Sequence, residues 1–226
     1  MKALITGKTK LAGAIISEFH EEQIMDEVIE FESCRVGENI PWKHYDVFIN
    51  NACVGFSQAE LLNDVFHEWR DDPNKLIINI SSRAAKPNLS QGYLYSSQKA
   101  ALNHLADNLV YNSDRRCGIV TLNLGLIEHD EVPSLTYEQI TNMIGVIMVE
   151  WFTGGVYMSE VTIQDRDNYR ENQQFKSELK SQESQSKSAN SLAVGKLENA
   201  VKLEAEKLRL RGQAQEKQER LQRKGE

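Results

Sequence analysis

The stretch LIINISSRAAKPNLSQGYLYSSQK, residues 76–99, decides the fold. Its first part, Leu76–Ile80, is rich in β-branched residues and is followed by Ser81 and Ser82, which predicts a buried strand ending in a polar turn. From Ser96 to Tyr111 the apolar residues recur at helical spacing, which predicts a helix. A buried strand followed by a helix is the repeating element of an α/β sheet.

The same alternation continues on both sides of this stretch. Leu11–Phe19 and Ala59–Trp69 have the apolar spacing of helices. The order of elements predicts an α/β fold of the Rossmann-like type, a doubly wound parallel sheet with helices on both faces and ligands at the carboxyl ends of its strands. Short apolar runs predict the other strands, at Ala3–Thr6, Glu27–Phe31, Asp46–Ile49, Ile119–Leu124 and Val156–Ile163.

The charge of the chain changes near Asp165. Residues 166–226 hold 14 of the 26 Lys and Arg but only 10 of the 33 Asp and Glu, so this part is basic and residues 1–165 are acidic. We expect a folded domain over 1–165, a polar linker over 166–190 and a charged helical tail over 191–226. A thin apolar stripe leaves two interpretations of the tail, a solvated helix or a coiled coil, and consists of Leu192, Leu197, Val201 and Leu208.

Composition argues against several classes of protein. The longest apolar runs are too short for a membrane span, and the amino terminus lacks the pattern of a secretory signal. Cys34, Cys53 and Cys117 are too scattered for a disulfide framework or a metal site, which suits a reducing compartment. The acidic domain disfavours nucleic acid. We therefore expect a cytoplasmic protein without a metal, a membrane or a nucleic acid as partner.

Ser82, Tyr95 and Lys99 carry the clearest chemical pattern. Tyr95 and Lys99 are one helical turn apart, so the phenol and the ammonium are expected on one face. A nearby cation favours the phenolate and lowers the tyrosine pKa, which suits a general acid/base, and Ser82 is placed to bond a substrate oxygen. The alternative is an exposed helix pair. Tyr93 is a weaker candidate because Ser97, not a lysine, follows it by four residues.

Two turns are candidates for ligand binding. The first strand runs into Thr-Gly-Lys-Thr-Lys-Leu-Ala-Gly, residues 6–13, where Gly7 permits a tight turn and Gly13 permits close packing of helix and strand. The amino terminus of the following helix offers N–H groups to a pyrophosphate, although such a turn is often only structural. Asn50-Asn51-Ala52 ends a central strand and either faces a ligand or forms an Asx turn.

Taken together, these motifs resemble those of the short-chain dehydrogenase/reductase family over about residues 1–165. The resemblance implies an NAD(P)-dependent oxidoreductase that interconverts a carbonyl and an alcohol by hydride transfer. The shared features follow the family's order and similar spacing, and they are the Thr6-Gly7 turn, Asn50-Asn51-Ala52, Ile80-Ser81-Ser82, Tyr95-x-x-x-Lys99, Leu124-Gly125-Leu126-Ile127 in place of a Pro-Gly motif, and Thr153-Gly154-Gly155-Val156 before the last strand.

By this resemblance Tyr95 exchanges a proton with the substrate, Lys99 lowers its pKa and holds the nicotinamide ribose, and Ser82 orients the substrate. Asn63 corresponds to the family's proton-relay asparagine. NADP is slightly favoured over NAD, because Lys10 and Arg35 suit a 2′-phosphate, although Glu30 or Glu32 would instead bind a ribose hydroxyl. The implied cofactor contacts are Gly7, Thr9, Lys10, Leu11, Gly13, Arg35, Asn51, Ala52, Tyr95, Lys99, Gly125 and Ile127.

Departures from the family pattern support an alternative function. Leu11 and Cys53 stand where the family has glycines, and the side chain of Leu11 would crowd a pyrophosphate. Residues 32–45 show no convincing helix, so the family's third strand and its helix are expected to be reduced. The alternative is a catalytically weak or inactive binding or scaffold protein whose helical tail mediates assembly. The resemblance also implies a homodimer or homotetramer, paired through the helix Ser96–Tyr111.

Overall fold

A six-stranded, wholly parallel sheet organises the chain in the computed structural model. The model describes residues 1–21, 30–34, 39–87 and 92–170, and the isolated positions 177, 180 and 181. The strand order is β2-β1-β3-β4-β5-β6, so the chain reverses direction across the sheet between β1 and β3. The strands are β1 Lys2–Thr6, β2 Glu30–Cys34, β3 Val47–Asn50, β4 Leu76–Ser82, β5 Gly118–Leu124 and β6 Glu160–Ile163.

Helices cover both faces of the sheet, which confirms the predicted Rossmann-like fold. Successive side chains of a strand point to opposite faces, so Ile5 of β1 joins the core under α1 and α4, whereas Leu4 joins the core under α2 and α3. The two cores are almost fully buried, and each holds residues from at least three strands. The helices are α1 Lys10–Glu21, α2 Ser57–Trp69, α3 Tyr93–Asn112 and α4 Tyr137–Phe152.

Most predicted elements exist, and the errors have local causes. The sequence analysis missed α4, whose start is fixed by a capping box between Thr136 and Gln139. The second strand is described from Glu30 to Cys34, and its predicted start at Glu27 lies outside the described residues; α3 begins at Tyr93 rather than Ser96. The last strand begins at Glu160 rather than Val156, because the residues after α4 form an exposed turn before the ladder to β5 begins.

The connection from β2 to β3 is short. Among its described residues, 39–46, the only regular element is a 3-10 turn at Trp42–His44. The Trp42 ring packs edge-on against Phe48 and Trp69, with ring centroids 5.0 and 6.3 Å away, and its carbonyl oxygen accepts the Trp69 indole N–H at 3.1 Å. An aromatic cluster thus covers part of this face where the sequence predicted a reduced strand and helix.

Residues Met1–Tyr169 form one compact unit. The predicted linker over 166–190 and the tail over 191–226 lie almost wholly outside the described residues, so both stay predictions. Within the described part, no helix is long and apolar enough to cross a membrane, and no three metal-ligating side chains cluster.

Candidate active site

The turn after β1 is held against the end of β3. Gly7 has a φ of +85°, and a Cβ added to it would lie 2.8 Å from the Cβ of Ala52, so the position requires glycine. The hydroxyl oxygen of the buried Thr6 accepts the backbone N–H groups of Asn51 at 2.8 Å and of Ala52 at 3.0 Å. These contacts place the turn at the point where the strand order reverses.

Thr9 and Asn51 connect this turn to helix α1. The Thr9 hydroxyl accepts the N–H of Ala12 at 3.1 Å and thereby caps the helix. The Asn51 side-chain amide donates to that same hydroxyl at 3.0 Å and to the Thr6 carbonyl at 3.1 Å. The other N–H groups in the first turn of a helix have no intrahelical acceptor and suit an anionic group.

Two expectations about α1 need correction. A Cβ added to Gly13 would meet no atom within 4 Å, so Gly13 is not needed for close packing, and the neighbouring Ala12 is the buried residue. The Leu11 side chain is buried in the core under α1 and α4 instead of projecting into solvent at the turn. Lys10 is the exposed first residue of the helix. Arg35 lies outside the described residues, and so do the side chains of Glu30 and Glu32.

Ser82, Tyr95 and Lys99 lie together at the carboxyl end of β4. The Ser82 side chain is hydrogen-bonded to the Tyr95 phenol, and its oxygen also accepts the N–H of Ala84 at 3.1 Å, which fixes its rotamer. The Lys99 Nζ lies 5.7 Å from the centroid of the Tyr95 ring. The Tyr95 side chain is 44% exposed and Lys99 only 3%, so the phenol borders solvent while the ammonium lies beneath it.

The electrostatics of Tyr95 differ from the expectation. Burial raises the pKa of Tyr95, the hydrogen bond from Ser82 lowers it by less, and the Cys53 thiol raises it further. Burial also lowers the pKa of the Lys99 amine to about 8, so this amine is neutral at the pH at which the phenol ionises and does not offset the rise. The phenol is therefore protonated at neutral pH.

Gln58 is the site residue that the sequence analysis missed. Its Oε1 accepts from the Lys99 Nζ at 2.7 Å, and the same ammonium donates to the Ile80 carbonyl at 2.8 Å. Gln58 belongs to the buried face of α2, where a polar residue among Leu61, Leu62 and Val65 was the available signal. Asn63 is on the exposed face of the same helix, so the structure does not bring the predicted relay residue to the site.

The remaining candidates border the same edge of the sheet. Cys53 directly follows Ala52, is exposed, and its Sγ lies 3.8 Å from the Oε1 of Gln98, the neighbour of Lys99. Gly125 follows β5 and donates its N–H to the Ile163 carbonyl at 2.9 Å, and a Cβ there would lie 2.7 Å from the Gln164 side chain. Ile127 is half-buried and bridges Leu135. Both follow the end of β5.

No family model and no curated protein matches this chain. Solved structures do share its architecture at low sequence identity. A gluconate 5-dehydrogenase from Burkholderia cenocepacia, in complex with NADP and tartrate, is 13% identical with a TM-score of 0.57, over 75% of this chain and 95% of that one. A 3-alpha-hydroxysteroid dehydrogenase from a Pseudomonas species, complexed with NADH, is 13% identical with a TM-score of 0.52, over 72% and 95%.

A third structure is described as a short-chain dehydrogenase/reductase, from Vibrio parahaemolyticus. It is 14% identical with a TM-score of 0.54, over 71% of this chain and 98% of that one. Identities this low establish the architecture, and the motifs of residues 1–165 lie on it in the order that the resemblance predicts. The chain has the fold of the short-chain dehydrogenases/reductases.

Proposed function

We propose that the chain is a divergent member of the short-chain dehydrogenase/reductase family and an NAD(P)-dependent oxidoreductase that interconverts a carbonyl and an alcohol of a small molecule. The observation that carries the proposal is the meeting of Ser82, Tyr95 and Lys99 at the carboxyl end of β4. A phenol, a hydroxyl and an amine at one strand end, bordering solvent, suit proton exchange with a substrate oxygen.

The turn at Gly7 fits a dinucleotide. Its positive φ and the absence of a Cβ let the backbone pass close to Ala52, and the first turn of α1 directs N–H groups outward beside the exposed Lys10. Leu11 leaves this space open because its side chain is in the core. The other proposed cofactor contacts are Thr9, Gly13, Asn51, Ala52, Gly125, Ile127 and Arg35, with NADP slightly favoured over NAD through Lys10 and Arg35.

In the proposed reduction of a carbonyl, each residue of the site has a separate role. The hydride for the carbonyl carbon would come from a reduced nicotinamide cofactor, when one is bound. Tyr95 donates its phenolic proton to the carbonyl oxygen, which becomes the alcohol, and solvent returns a proton to the phenolate. Ser82 would hydrogen-bond the substrate oxygen, and Lys99 would hold the ribose hydroxyls of the cofactor. Burial raises the pKa of Tyr95, so the phenol carries the proton that this step needs at neutral pH.

A substitution of Tyr95 tests the proposal. Tyr95→Phe removes the proton donor and retains the ring, so we expect turnover of a carbonyl substrate to fall by about 10²-fold or more, with nucleotide affinity nearly unchanged. Tyr93→Phe is the matched control, because Tyr93 is 75% exposed and two residues away. Calorimetric titration with NADPH and NADH comes first. Binding of neither nucleotide at millimolar concentration refutes the proposal and favours the scaffold alternative.

A further inference from the structure

We propose that Gln58 is a positioning residue that holds the amino group of Lys99 at the candidate active site. The inference rests on the proposed function and adds to it a residue of α2 that fixes the position of the Lys99 amino group. Nothing in the spacing of Tyr95 and Lys99 points to a glutamine that lies 41 residues away along the chain. The hydrogen bonds of the buried Gln58 side chain are what connect this residue to Lys99.

Gln58 is itself rigidly held. Its Nε2 donates to the backbone carbonyls of Asn50 at 2.7 Å and Ile80 at 3.1 Å. The backbone carbonyl of Gln58 accepts from the Asn50 side-chain amide at 2.8 Å. The residue is 3% exposed. These bonds tie the first turn of α2 to the ends of both β3 and β4, so the side chain has no freedom to leave the lysine.

The orientation of the Gln58 amide follows from its partners. Two carbonyl oxygens require the NH₂ group, so the Oε1 must face the remaining partner, the Lys99 ammonium at 2.7 Å. A flipped amide would oppose the NH₂ to the ammonium and the oxygen to two carbonyls. The protein therefore presents Lys99 with a fixed acceptor rather than an adaptable one.

The contact has an electrostatic consequence. Burial disfavours the charged lysine, and no described carboxylate compensates for it. The groups that face the amine are the Gln58 Oε1, the Ile80 carbonyl, the Tyr95 ring and the Cys53 thiol. Because Gln58 and Ile80 supply the direct oxygen acceptors, removing the Gln58 oxygen should weaken the ammonium form, although the Ile80 carbonyl still accepts from the amine.

The test measures Lys99 directly, in the full chain without nucleotide. A titration of the Lys99 ¹³Cε resonance, assigned by its loss in Lys99→Met, should have a midpoint near 8 in the wild type. Gln58→Met should lower that midpoint by about 1 or more, because a bond to a charged group is lost. Gln58→Glu, which keeps an oxygen at the same reach, should restore the midpoint or raise it. Asn63→Ala, on the exposed face of α2, should leave it unchanged.

A purely structural role predicts a different pattern. In that case both Gln58 variants lower the melting temperature, and the Lys99 midpoint stays fixed or moves the same way in both; either result overturns the inference. If Gln58→Met does not fold, the wild type still decides, because the Gln58 side-chain ¹⁵N resonance should titrate with the Lys99 midpoint, and its failure to do so refutes the contact. These readouts need no nucleotide, so their outcome is independent of whether NADPH or NADH binds.

Discussion

The buried amine of Lys99 should make the stability of the protein rise with pH. The pKa of Lys99 falls from 10.5 to about 8 on folding, because the residue is only 3% exposed. Between these two values the unfolded chain binds more protons than the folded one, so the free energy of unfolding increases as pH rises through that window. At roughly 1.4 kcal/mol per unit of pKa, the whole effect is roughly 3 kcal/mol. The bonds to Gln58 and Ile80 stabilise the ammonium and make this an upper figure.

Lys99→Met isolates this effect. Methionine has no titrating group, so the difference in unfolding free energy between wild type and variant should shift in favour of the wild type from pH 7 to pH 10, by roughly 2 kcal/mol. Burial raises the pKa of Cys117 to about 11, which makes stability fall as pH rises, but this effect is present in both proteins and cancels in the difference. Urea unfolding followed by tryptophan fluorescence measures the difference at each pH. A difference that stays constant across this range would refute the assignment of a depressed lysine pKa.

Two further predictions concern the turns of the candidate cofactor site. Gly7→Ala should destabilise the protein by about 1–3 kcal/mol, because alanine at a φ of +85° is strained and its Cβ would contact Ala52. Gly13→Ala should be neutral or stabilising by up to about 1 kcal/mol, because the position is helical and the space around the Cβ is free. Denaturant titrations of the two variants measure the difference. Iodoacetamide should label the exposed Cys53 and spare the buried Cys117, as peptide mapping by mass spectrometry would show, and NADPH should slow the Cys53 reaction. Equal labelling of both cysteines, or no protection at Cys53, contradicts this placement.

The fold was predictable where the sequence is locally consistent. β4 and β5 are buried on both faces and are mostly apolar, with exceptions such as Asn79 in β4 and Thr121 and Asn123 in β5, so both strands could be predicted without knowledge of their neighbours. α4 was missed because apolar residues fill both its buried and its exposed side, from Ile144 and Ile147 to Val146 and Val149, so no narrow apolar stripe marks a helix. Predicting the order of the strands, by contrast, required the Gly7 turn together with the resemblance of the motifs to the family.

The site residues also differ in whether a local pattern in the sequence could predict them. Tyr95 and Lys99 share a helix, so their spacing alone placed them together. Gln58 reaches Lys99 only because α2 packs across β3 and β4, which no local pattern reveals. Asn63 was preferred because it is an asparagine, although the period of α2 assigns it to the solvent face. A polar residue on an apolar stripe is therefore the better signal for a buried site residue than matching residue type.

The corrected tyrosine pKa changes the chemical interpretation of the site. Burial disfavours charge on both groups, so it raises the pKa of the Tyr95 phenol and lowers that of the Lys99 amine. A phenolate would need a cation beside it, but the Lys99 amine loses its proton near pH 8, below the pH at which the phenol ionises. The nucleotide-free site therefore keeps a proton on Tyr95, the state from which a carbonyl oxygen can be protonated. Under the proposed function, this protonated phenol is the form that takes part in reduction, whereas oxidation of an alcohol would first require the phenol to lose its proton.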